Sequence, residues 1–181
     1  MYYKTDGEAY PFYLRGEIVQ QIPSLKKKFL RYDNYAGKKI EEVFTNEQLN
    51  SATQLLIDEL QTCIFVNDGK GNFTKQALPL RAQFSPVYGI LLFDYDDDGQ
   101  KDILLGGNFF GAKPELGRFD GSYSVLLRGE GNNQFKFVPN TQTGIIVKDE
   151  VRDIKAIKAA GSKTYIVIAR NNETLHIYKK N

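Results

Sequence analysis

Asp94-Tyr95-Asp96-Asp97-Asp98-Gly99-Gln100-Lys101-Asp102 lies between two apolar runs, Ile90-Leu91-Leu92-Phe93 and Ile103-Leu104-Leu105. Acids occupy positions 1, 3, 5 and 9 of this stretch, and glycine occupies position 6. Alternate carboxylates on so short a loop can fold inward around one hard cation, and glycine permits the sharp turn. The position-7 carbonyl, from Gln100, can complete the oxygen shell, while Asp97 at position 4 points outward. Without a cation the carboxylates crowd and repel one another. An oxygen-liking cation is therefore close to a structural requirement. Ca²⁺ suits this flexible, carboxylate-rich loop better than Mg²⁺. An acidic surface turn is the plainer alternative. An EF-hand needs a bidentate Glu at position 12 and flanking helices. Position 12 here is Leu105, and both flanks read as buried strands. The stretch is thus a connection between two strands.

Outward from the loop, residues 52 to 181 are dominated by strand signals. Ile64-Phe65-Val66 ends at Asn67-Asp68-Gly69-Lys70-Gly71, a strong turn signal, and Phe73 opens the next strand. Ser124-Val125-Leu126-Leu127 ends at Gly129-Glu130-Gly131, followed by the alternating Phe135-Lys136-Phe137-Val138. Residues 151–157, 164–169 and 174–178 are further strand candidates, with Asn171-Asn172 as a hairpin turn. Asn67-Asp68-Gly69-Lys70-Gly71-Asn72-Phe73 aligns with Gly129-Glu130-Gly131-Asn132-Asn133-Gln134-Phe135 at a constant offset of 62 residues. A turn recurring at a fixed period between strands indicates stacked four-stranded units, the construction of a β-propeller. Residues 1 to 51 differ. Ile18, Val19 and Ile22 share a helical face, Pro23 interrupts it, and Ser24 or Pro23 starts a second short helix. Thr45 and Gln48 form a capping-box signature. The expected domains are a helical segment, 1–51, and a β segment, 52–181.

Composition narrows the function. The chain has 181 residues, with 24 Lys+Arg against 22 Asp+Glu, so it carries no charge bias of a nucleic-acid binder. Lys26-Lys27-Lys28 reads as a solvated helix face. No apolar run approaches the roughly 20 residues of a membrane span. Residues 1 to 10 lack the pattern of an export signal. Cys63 is the single cysteine, inside an apolar run, and reads as a small buried residue. The single His, His176, gives no zinc pattern. No nucleophile–base set or phosphate loop is visible, and the expectation is a protein that is not an enzyme.

At Phe93 to Leu104 the chain resembles the calcium loop of FG-GAP/VCBS repeats, the units of integrin alpha-subunit propellers and of many bacterial surface proteins. Asn67 to Phe73 is similar to that family's second signature, the turn before the last strand of a blade. Gly106-Gly107-Asn108-Phe109-Phe110-Gly111, Gly117-Arg118-Phe119-Asp120, Pro11-Phe12-Tyr13 and Pro23 to Phe29 are similar to large VCBS-repeat proteins of Bacteroidetes type. The resemblance covers nearly the whole chain and places it in the C-terminal portion of such proteins. It implies a mainly β fold, a partial β-propeller with residues 16–51 as an α-helical blade insertion. It also implies Ca²⁺ held by Asp94, Asp96, Asp98, the Gln100 carbonyl and Asp102, and a place outside the cell, in the periplasm or on the cell surface. The last blade, starting near Asp149 to Asp153, lacks the spaced acids and is expected to hold no metal.

The expected function is a calcium-stabilised extracellular propeller segment, a non-catalytic binding or adhesion module for protein or glycan. The alternative is part of a glycan-processing propeller enzyme whose catalytic groups lie partly in further blades. Arg118, Asp120 and Tyr123, in a long glycine-rich loop on a β scaffold, are candidate ligand contacts, with plain loop packing as the rival reading. Residues 63–181 supply about two to two-and-a-half four-stranded antiparallel blades, whereas a closed propeller needs at least about four. The expectation is a portion of a longer protein, or a chain whose open blade edges associate with one another.

Overall fold

The computed structural model describes residues 2–161 and 163–180. The chain is mainly β, with 35% strand against 18% helix, and the described residues form four antiparallel sheets, none of them closed. It divides into two compact units, Met1–Asp58 and Glu59–Asn181.

The first unit contains the expected short helices and one element the sequence reading passed over. Strands β1 (Tyr2–Thr5) and β2 (Glu8–Pro11) pair around Asp6-Gly7, both at positive φ. An Asp-Gly pair with that geometry is the favoured two-residue hairpin turn. Helices α1 (Arg15–Gln21), α2 (Leu25–Lys28), α3 (Ile40–Val43) and α4 (Asn46–Ser51) follow. The Thr45 signature is realised: its Oγ1 accepts from Gln48 N at 3.2 Å, and Gln48 Oε1 accepts from Thr45 N at 2.9 Å. Helices this short are marginal alone and depend on packing. Ile18, Leu25, Phe29, Tyr35 and Val43 supply a core to which α1, α2 and α3 contribute. Tyr35 donates its hydroxyl to Tyr13 O at 2.8 Å, and burial pushes its pKa up.

The second unit is a succession of antiparallel sheets. Strands β3 (Cys63–Asn67) and β4 (Phe73–Ala77) form a hairpin. Strands β5 (Val87–Phe93), β6 (Asp102–Gly107), β7 (Val125–Gly129) and β8 (Phe135–Val138) form a four-stranded meander. A short helix, α5 (Asn140–Thr143), leads to the three-stranded meander β9 (Val151–Ala159), β10 (Lys163–Arg170) and β11 (His176–Lys179). The 62-residue repeat is a repeat of geometry. Asn67 pairs with Phe73 as Gly129 pairs with Phe135, and Ile64 pairs with Gln76 as Leu126 pairs with Val138. The turn bonds match as well, Asp68 N to Asn72 O at 3.1 Å and Glu130 N to Gln134 O at 2.9 Å.

A second correspondence joins the first strand pairs of the two meanders. Tyr88 is an extra residue in β5, and Arg152 is an extra residue in β9. Such bulges bend and twist a strand. The two bulged residues meet, with the Arg152 guanidinium 4.6 Å from the Tyr88 ring centre. Around them the sheets mate closely. A Cβ on Gly106 would lie 2.5 Å from Val151 Cγ1, and one on Gly89 would lie 2.8 Å from Ile154 Cγ1. Only glycine fits there. This contact sits in a core of Phe93, Leu104, Leu126, Val151, Ile154, Ile166 and Ile168. The opposite face of the four-stranded sheet, with Ile103, Leu105, Val125 and Leu127, packs on Leu78, Ala82 and Ile64.

Candidate metal centre

The β5–β6 register ends with Phe93 opposite Asp102, so Asp94 and Asp102 stand at the two feet of the acidic loop. Two loop residues take left-handed backbone, Asp97 (φ +61) and Gly99 (φ +84). The second is the turn for which glycine was expected, and Gly99 N donates to Asp94 Oδ2 at 2.9 Å. Asp102 is fully buried. Its Oδ2 accepts from Tyr95 N at 2.5 Å and its Oδ1 from Gly129 N at 2.8 Å. One carboxylate thus fixes both the start of the loop and the end of β7.

Asp94, Asp96 and Asp102 each offer a carboxylate oxygen, and these oxygens lie within 4.8 Å of one another. Such a group could hold a metal ion. Asp94 Oδ1 is buried and has no hydrogen-bond partner. A buried carboxylate oxygen without a partner is costly, and a bound cation removes that cost. Burial pushes the Asp102 carboxyl above its ordinary range. Hydrogen bonds from Tyr95 and Gly129 oppose the shift, and the charges of Asp96 and Asp98 add to it.

The other expected ligands sit differently. Asp98 lies outside the three-acid group, and its Oδ1 accepts from Gln100 N at 2.7 Å. That bond closes the local turn through one of the two carboxylate oxygens. Asp97 is 75% exposed and meets the Lys180 ammonium, in keeping with an outward position.

Arg118, Asp120 and Tyr123 lie on the 108–124 connection between β6 and β7. The Arg118 guanidinium stands 5.0 Å from the Phe110 ring centre, and Lys148 Nζ stands 5.4 Å from that of Tyr123. Asp120 is exposed. The two aromatic pairs are separate.

The residue that organises this loop is one the sequence reading did not single out for a role. Asn108 is almost fully buried, at φ +76. Its Nδ2 donates to Ser122 O (2.8 Å) and Lys148 O (2.9 Å), and its Oδ1 accepts from Ser85 Oγ (2.8 Å) and Ser122 N (3.1 Å). Glu150 works beside it. Its Oε1 accepts from Phe110 N at 2.7 Å and from Arg152 Nη2 at 2.9 Å, and its Oε2 accepts from Asn171 Nδ2 at 2.8 Å. The Asn171 and Phe110 bonds, then Arg152, hold its carboxyl below the ordinary range. The signal for Asn108 was its place after Gly106-Gly107, where asparagine tolerates left-handed backbone better than other residues.

No family model, curated protein or solved structure matches this chain.

Proposed function

We propose that the unit Glu59–Asn181 is a segment of a β-propeller of FG-GAP/VCBS type, that its 94–102 loop binds Ca²⁺ structurally, and that it serves outside the cell as a non-catalytic binding module for protein or glycan. The observation that carries the cation is the buried, partnerless Asp94 Oδ1 beside Asp96 and Asp102. A Ca²⁺ ion there would be held by Asp94, Asp96 and Asp102, completed by loop carbonyls such as that of Gln100. It would relieve carboxylate repulsion and tie β5 to β6. An affinity in the range of extracellular modules, roughly 0.1–1 mM, would suffice outside cells.

The bladed architecture is supported by the repeated hairpin register and by the repeated bulges at Tyr88 and Arg152. It is also supported by what is uncovered. Ile90 and Leu92 are exposed on β5, and Ile157 and Ile177 are exposed on the last sheet. Further four-stranded units, or edges of a second copy of the chain, would cover them. The connection carrying Arg118, Asp120 and Tyr123 is the proposed ligand-contacting surface, a loop with aromatic and cationic side chains on a β scaffold.

The test is thermal melting with Ca²⁺ and with chelator, beside calorimetric titration. Ca²⁺ should raise the melting temperature, and Asp96→Ala should abolish the rise. An unchanged melting temperature and no binding heat at millimolar Ca²⁺ would sink the metal reading. A polysaccharide screen should show no turnover, and product release abolished by one acid substitution would overturn the non-catalytic reading.

A further inference from the structure

The acidic loop has a cationic neighbour from the far end of the unit. Lys180 follows β11, and its side chain is only 13% exposed. Its ammonium pairs with Asp97 Oδ1 at the loop's centre. Its backbone N donates to Thr164 O at 2.8 Å, fixing the residue to the start of β10. Beside the pair lies a cavity of about 540 Å³, lined by Leu92, Phe93, Ala156 and Thr164 as well as Asp94 and Lys180. The low exposure of the side chain, the backbone bond and the Asp97 pair together present the charge to the loop.

We infer that Lys180 is an affinity-setting residue for the cation loop, a fixed positive charge that cancels Asp97 and weakens cation binding. The inference rests on the reading of the loop as a cation site. Five carboxylates lie between Asp94 and Asp102, more than one divalent ion needs for neutrality. A positive charge fixed beside them makes the potential at the ion less negative, and in this place it also ties the loop to the last sheet. Coupling of this kind is reciprocal: whatever Lys180 does to the ion, the ion does to Lys180. A cation on the loop should therefore weaken the hold on Lys180, and chelation should tighten it.

A purely structural contact and an electrostatic one predict opposite signs. If Lys180 only braced the loop, Lys180→Gln would weaken cation binding. If its charge sets affinity, Lys180→Gln should bind Ca²⁺ about three-fold more tightly at low ionic strength, and the gain should shrink in high salt. Lys180→Arg should keep the wild-type affinity. Asp97→Asn should bind more weakly, and Asp97→Asn with Lys180→Gln should return near wild type. Calorimetry with Ca²⁺ gives the affinities, and Tb³⁺ luminescence sensitised by Tyr95 reports the same site independently. Wild type that binds neither ion overturns the site reading, and this inference with it. Wild type that binds, with Lys180→Gln equal or weaker, overturns the Lys180 inference alone.

Discussion

Val87 and Ile90 in β5 occupy the places that Val151 and Ile154 occupy in β9, each pair flanking its bulged residue. Their surroundings differ. Ile154 is 0% exposed, under the bare backbone of Gly89 and Gly106, whereas Ile90 is 57% exposed. The same strand design is thus finished in one sheet and open in the other. Ile154 is covered by a glycine-bearing strand pair, whereas on the Ile90 side of the four-stranded sheet the described residues place Ile64 of β3 with Leu78 and Ala82. The strand connections differ too. The β5–β6 pair is joined by the acidic loop, while β9 and β10, longer strands, pair from Ala159 and Lys163 inward across a turn that contains no acid.

Truncating the two isoleucines gives the largest contrast. Ile154→Ala should destabilise by about 3 kcal/mol, the range for emptying a closed core. Ile90→Ala should cost less than about 1 kcal/mol, because its side chain is already half in water. Urea unfolding monitored by circular dichroism measures both. Equal losses would mean that Ile90 is covered in solution, by association or otherwise, and sedimentation would then show a species heavier than the monomer.

The sequence carried the periodic and local features. Acid-glycine turns, the 62-residue offset, the alternation in β8 and the Thr45 cap are short-range patterns set by backbone preference, and each is found where the residues put it. The hairpin at residues 2–11 had its Asp6-Gly7 signal, but four-residue strands are too short to show alternation. Long-range polar chemistry was not legible. Asn108 reaches Lys148, Glu150 reaches Phe110, and Lys180 reaches Asp97, pairings that exist only once the sheets stack. Asp98 has a local feature that its spacing alone does not show: its Oδ1 accepts from Gln100 N.

Glu150 sits at the junction of the two meanders and should give the next largest effect. Its folded-state pKa is depressed below the ordinary 4.5, so it contributes stability above that pH. The contribution is lost as pH falls from 4.5 through the lower folded value. Glu150→Gln should lower stability by about 2 kcal/mol at neutral pH, the worth of hydrogen bonds to a charged acceptor. It should also flatten the acid side of the stability profile. Melting temperatures between pH 7 and pH 3 read both effects. A variant whose acid slope matches wild type would show that other carboxylates govern the acid limb.

The smallest effect tests whether the paired bulges recognise each other. The Arg152 guanidinium lies over Tyr88, yet the same side chain is also held by Glu150. Losing the ring alone leaves that ion pair in place, so Tyr88→Leu should cost only about 0.5–1 kcal/mol. A cycle with Arg152→Met isolates the pair, since each single variant removes the same stacking. A coupling of about 0.5 kcal/mol or more would mean that the bulges help set the register of one sheet on the next. A coupling of zero would assign that register to shape alone, to Gly89 and Gly106 receiving Ile154 and Val151. In that case the exposed Ile90 of the four-stranded sheet would need only a glycine-bearing strand pair, with no stacking partner for its own bulge.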